Sequence, residues 1–76
     1  MTEQFESSDL YLIAAFLCRG CLYTMTRHEG RRVFFIFEET EALKTNVRDY
    51  FADRLLVGAQ DYANQVQNVK KTVFNL

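Results

Sequence analysis

The sequence predicts an α+β fold of order α-β-β-α-α, in which an antiparallel β-hairpin packs against three helices. Three observations predict it. Apolar residues recur at helical spacing, switch to β-branched and aromatic runs near residue 21, and return to helical spacing after residue 40. Capping residues and glycines fall where those segments begin and end. The 76 residues contain no proline and three glycines, and 49% are hydrophobic, which describes a packed globule with short turns and excludes a collagenous or linker-like chain.

Residues 1–6 are polar and unpatterned, and are expected to be loosely ordered within a single domain spanning 1–76. Ser7-Ser8-Asp9 then offers a side-chain oxygen for a helix N-cap, and a helix follows from about Asp9 to Arg19. Gly20 marks its end, because a residue without a Cβ enters the left-handed conformation of a helix stop without steric cost. This helix is apolar around most of its circumference and so needs either a central position or a partner.

Cys21–Arg27 and Arg31–Phe37 read as two strands about a turn at His28-Glu29-Gly30. With Glu29-Gly30 as the loop, Thr24 faces Phe35, Thr26 faces Val33 and Leu22 faces Phe37 on one side. On the other, Met25 faces Phe34 and Tyr23 faces Ile36. Both faces of the ribbon are then apolar and require cover.

Thr40 is a good N-cap, and Leu43, Val47, Tyr50, Phe51 and Leu55 line one face of a helix over about 41–54. Gly58 separates it from a third helix, Ala59 to Phe74, whose stripe is Tyr62, Ala63, Val66, Val69 and Val73.

Charge and length bound the function. Nine Lys/Arg against ten Asp/Glu give a net charge of -1, so polyanion binding would need a local patch. The apolar run Leu10–Cys18 is about half the roughly 20 residues that a membrane-crossing helix needs. The acids ahead of it are the wrong charge for a secretory leader, so neither a membrane role nor a targeting segment is expected. Cys18 and Cys21 are too close together to staple distant parts of the chain, which points to a reducing, cytoplasmic setting.

Cys18-Arg19-Gly20-Cys21 is a C-x-x-C, yet it supplies half of a structural zinc site, with His28 the one histidine in the chain. Cys18 also falls at the C-terminal end of its helix, where the dipole opposes thiolate. A zinc site pooled across two copies is a remote alternative, and the expectation is no metal and no cofactor. Glu38, Glu39 and Glu41 suit a helix start, there is no phosphate-cradling glycine loop, and no nucleophile and base pair can be argued. No catalytic residue is predicted, and the chain reads as a non-enzyme.

Two surfaces remain. Arg27, His28, Arg31 and Arg32 surround the hairpin tip with Tyr23, Phe34 and Phe35 along the same strands, a set that could grip a nucleic-acid backbone and stack unpaired bases. The polar side of the third helix, with Asn64, Gln65, Gln67, Asn68, Lys70 and Lys71, is a weaker version of the same idea. The apolar far side of the hairpin, formed by Tyr23, Met25, Phe34 and Ile36, predicts instead a self-associating module, a homodimer through the hairpin or the first helix. Another protein partner is also compatible with it.

Ser8-Asp9-Leu10-Tyr11-Leu12-Ile13-Ala14-Ala15-Phe16-Leu17, Gly30-Arg31-Arg32-Val33-Phe34-Phe35-Ile36-Phe37-Glu38 and Asp61-Tyr62-Ala63-Asn64 resemble a family of short uncharacterised bacterial and phage-borne proteins, over most of residues 7–74. That family is a domain of unknown function with no catalytic or binding residues to transfer. The resemblance implies a standalone bacterial or phage accessory protein.

Overall fold

The computed structural model describes residues 3–75. The elements run β1 (Gln4–Ser7), α1 (Leu10–Cys18), β2 (Tyr23–Glu29), β3 (Arg32–Glu38), α2 (Glu41–Phe51) and α3 (Ala59–Phe74), an α+β fold. The sheet has three antiparallel strands in the order β1-β3-β2. The expected hairpin and three helices are all present, and α3 has the expected bounds. The chain ahead of α1 is where the expectation fails: Gln4–Ser7 is a strand along β3, pairing Phe5 with Phe37 and Glu6 with Ile36. Residues 1 and 2 lie outside the described residues.

The helix ends follow from local chemistry. Asp9, rather than either serine, caps α1, its Oδ1 accepting from the backbone N–H of Tyr11 at 3.0 Å and of Leu12 at 3.3 Å. Ser7 Oγ accepts from the Asp9 N–H at 3.0 Å, which fixes the strand-to-helix corner. At the other end Gly20 takes φ 81°, with its N–H on the Leu17 carbonyl and the Cys21 N–H on that of Phe16, the paired bonds of a Schellman stop. Thr40 Oγ1 caps α2 through the Leu43 N–H at 3.1 Å.

The end of α2 repeats the α1 stop without glycine. The Asp53 N–H reaches the Tyr50 carbonyl and the Arg54 N–H reaches that of Asp49, while Asp53 sits at φ 59°. A side chain in that conformation costs about 1–2 kcal/mol, somewhat less for Asp because its carboxylate can interact locally. Asp53→Gly is therefore expected to stabilise the protein by ~1 kcal/mol, a rise of about 4–8 °C in a thermal melt followed by circular dichroism. Asp53→Val should lower the midpoint.

The core lies between one face of the sheet and the helices. Val33, Phe35 and Phe37 from β3 meet Leu12, Ile13 and Phe16 of α1, Leu43 of α2, and Val66 and Val69 of α3. Phe16 is fully buried, edge-on to Phe5 at 5.7 Å and to Phe37 at 5.3 Å. The apolar circumference of α1 is explained by a central position. The outward Ala15 borders a crevice formed by Tyr50, Leu55, Val57 and Tyr62, so the α2–α3 linker roofs the helix. The Tyr62 hydroxyl donates to the Tyr11 carbonyl at 3.2 Å on the same side.

The shortest dimension of the molecule is 18 Å. That is one sheet and one helical layer, since a helix with its side chains is already about 10–12 Å across. The ribbon is thus clothed by helices on one face only, contrary to the expectation of cover on both.

Two register details decide which residues reach the far face. The loop is Gly30-Arg31, one residue later than expected, closing on the pair Glu29↔Arg32. Gly30 at φ 61° occupies the first loop position, where a tight hairpin of this hand needs positive φ. Further along, Met25 pairs with Ile36 but Tyr23 pairs with Phe37, leaving Thr24 as an extra residue in a β-bulge. The Thr24 hydroxyl donates to the Ile36 carbonyl at 3.1 Å. Because side chains alternate, one inserted residue turns everything before it to the opposite face. Tyr23 therefore joins the core side, edge-on to Phe35 at 4.8 Å and near Phe37, instead of facing Ile36. Leu22, expected opposite Phe37, is 74% exposed.

Candidate binding cleft

The four basic residues of the hairpin tip separate into two groups. Arg27 points to the far face, where Nη2 meets Glu6 Oε2 at 2.8 Å and Nη1 meets Glu29 Oε2 at 2.6 Å. Its guanidinium carbon stands 4.7 Å from the ring centre of Phe34. Glu29 first and then Glu6 hold the Arg27 charge more firmly than usual. Since Glu6 is on β1 and Arg27 on β2, the pair reaches across β3 and lies over its far face. Ile36 is only 5% exposed there and Phe34 is half-buried, although no helix covers them.

Several expectations about site residues are corrected by this arrangement. Of the predicted association surface, Tyr23 is partly buried and packs against the core, Ile36 is covered and Phe34 lies under Arg27. Met25 alone is open, at 54% exposure. The proposed base-stacking aromatics fare no better, since Phe35 is fully buried and Tyr23 packs against it. His28 is exposed on β2 opposite Val33 and forms no part of the cleft described next.

Arg31 and Arg32 belong to a different surface. With Val33 they form one wall of an open cleft of about 680 Å³, which is completed by Ser8 to Leu10 at the start of α1 and by Lys70, Val73 and Phe74 at the end of α3. This volume is within the range of small-molecule sites, about 300–1,000 Å³. Three cations face one carboxylate, Asp9, which is occupied with the first N–H groups of α1. Among the described residues Arg31, Arg32 and Lys70 enter no ion pair, whereas Arg27 and Lys44 do. Phe74 is 86% exposed. Sequence reasoning found the two arginines but missed Lys70 and Phe74 as their neighbours, because α3 reaches the hairpin tip only through the tertiary fold.

The cysteines take structural positions. Cys21 Sγ accepts from Asn46 Nδ2 at 3.2 Å, which provides for the one buried polar side chain among the described residues. Burial first, and the negative charge of Asp61 second, push the Cys18 thiol above its ordinary pKa, away from the thiolate that metal binding or exchange requires. Both thiols are free, and no group of three or more His, Cys, Asp or Glu side chains able to hold a metal ion occurs among the described residues. No described helix is long and apolar enough to cross a membrane. Other acids are committed to structure: Glu39 and Glu41 flank Lys44 at 3.9 and 3.7 Å, at the start of α2.

No curated protein and no solved structure matches the chain. A family model does, over residues 2–75, and by that match the chain belongs to the family described as Domain of unknown function (DUF5659).

Proposed function

We propose that the chain is a non-enzymatic association module that pairs with a second copy through the outer edge of β2. The observation that carries this is the sheet order, which leaves β2, seven residues long, with no strand beyond it. In a hairpin closed by a two-residue loop, Glu29 and Arg32 exchange both of their backbone bonds, and alternate residues do the same. Arg27 and Met25 accordingly bond inwards, while the N–H and C=O of Thr26 and His28 point away from the sheet. Such a row is a template for another strand. Met25 and Leu22, both largely exposed, extend the same margin with apolar surface. Face-to-face stacking of two hairpins is the poorer route, because the Arg27 ion pairs already occupy the far face.

The roles of the acids in caps and ion pairs support a binding module over an enzyme. The two free thiols support a reducing cytoplasm, and the likeness of residues 7–74 to short bacterial and phage-borne proteins supports a bacterial or phage accessory role.

Light scattering across a dilution series should give a mass near twice 8.9 kDa at high concentration and fall towards 8.9 kDa on dilution. Amide exchange supplies a site-resolved check, since the Thr26 and His28 amides should be protected only in the concentrated sample, and the Met25 and Arg27 amides in both. His28→Pro removes an outward N–H and should leave a folded monomer. A mass of 8.9 kDa at every concentration, with rapidly exchanging Thr26 and His28 amides, overturns the reading.

A further inference from the structure

We propose that the cleft between the hairpin tip and the end of α3 binds single-stranded nucleic acid, with Arg31, Arg32 and Lys70 on the phosphates and a base against Phe74. The cations come from two elements distant in sequence and converge on one cavity of about 680 Å³. The one carboxylate there, Asp9, has its charge directed to the Tyr11 and Leu12 N–H groups. Guanidinium forks match phosphate oxygens in pairs, and a lysine adds a mobile point charge. Charge of this kind would suit any anion, so the aromatic decides the class. Phe74 offers a nearly bare ring beside the cations, and cations next to an open aromatic face are how unpaired strands are held without sequence readout. A duplex keeps its bases stacked on one another and cannot give one to Phe74. A lone phosphate would use the cations and leave the apolar wall of Leu10, Val33 and Val73 idle.

This surface differs from the edge of β2, so the two proposals stand or fall separately. Fluorescence anisotropy with a labelled oligothymidylate of about twelve nucleotides, at about 50 mM salt, tests it. Retention should weaken steeply as salt is raised. Arg31→Ala combined with Arg32→Ala should weaken binding at least about tenfold and flatten the salt dependence. Phe74→Ala should also cost about tenfold while leaving the salt dependence unchanged, since stacking releases no counterions. Lys44→Ala, whose ammonium lies on α2 beside Glu39 and Glu41, should bind as the wild type does. The monomeric His28→Pro variant should still bind, whatever the fate of edge pairing. Any of three results overturns the proposal: no retention at low salt, displacement by polyglutamate or inorganic phosphate as effective charge for charge as by unlabelled oligonucleotide, or equal losses for Lys44→Ala and Lys70→Ala.

Discussion

Phe16→Ala should lower the stability of the protein by about 3–5 kcal/mol, the cost usual for emptying a buried aromatic site. Phe16 has no exposed surface and sits at the junction of three elements, edge-on to Phe5 of β1 and Phe37 of β3 from its place on α1. None of these neighbours can collapse into the void without giving up its own packing. A domain of this length commonly has a total stability of only about 4–11 kcal/mol, so the variant should lose a large share of it and, at the low end of that range, be partly or wholly unfolded at room temperature. Urea denaturation followed by far-ultraviolet circular dichroism measures the loss. Leu56→Ala, at a side chain 80% exposed in the α2–α3 linker, is the comparison and should change stability by no more than about 0.5 kcal/mol. Similar midpoints for the two variants would contradict the central position of α1.

Inserting one alanine between Thr24 and Met25 should be nearly as damaging, at ~3 kcal/mol, although Thr24 is exposed and ordinary truncation there would cost little. The insertion moves the start of β2 one place along β3 and reverses the parity of that part of the strand. Tyr23 would then point to the far face, towards the Arg27 ion pairs, and the core would lose the ring that packs edge-on against Phe35 and Phe37. Thr24→Ala keeps the bulge and loses only the hydroxyl bond to the Ile36 carbonyl, about 0.5–1.5 kcal/mol. An insertion no worse than Thr24→Ala would mean that the residue count at the bulge does not determine the facing of Tyr23.

The parts of this fold that could be read in advance are those whose causes are local. Thr40 caps α2 and Gly20 stops α1 through bonds between residues three to five positions apart, and the stripe through Val66 and Val69 marks the inner face of α3. Other features depend on partners far along the chain. Gln4–Ser7 has one apolar side chain in four residues and becomes a strand because β3 presents it with an edge. The expected oily far face failed for the same reason. Arg27 reads as a solvated tip residue until Glu6 is placed across β3 from it, and Tyr23 reads as outward-facing until the bulge is counted. Of the cleft, Arg31 and Arg32 were legible as exposed cations of a turn. Lys70 and Phe74 were not, since nothing in the period of α3 says which end of the sheet its last turns will reach.

The position of β3 between the first strand and the second has a kinetic consequence. The β2–β3 ribbon closes across two residues, a microsecond event, whereas joining Phe5 to Phe37 must wait until α1 and the whole hairpin have been enclosed in the intervening loop. The sheet should therefore grow outward from the Gly30 turn, and its N-terminal border should be the last to zip and the first to peel. During that interval one flank of β3 is unpaired, and Ile36 lacks the carboxylate that later anchors its cover. A nascent chain is most open to capture by a chaperone, or to exchange of its leading segment with a neighbour, in that window.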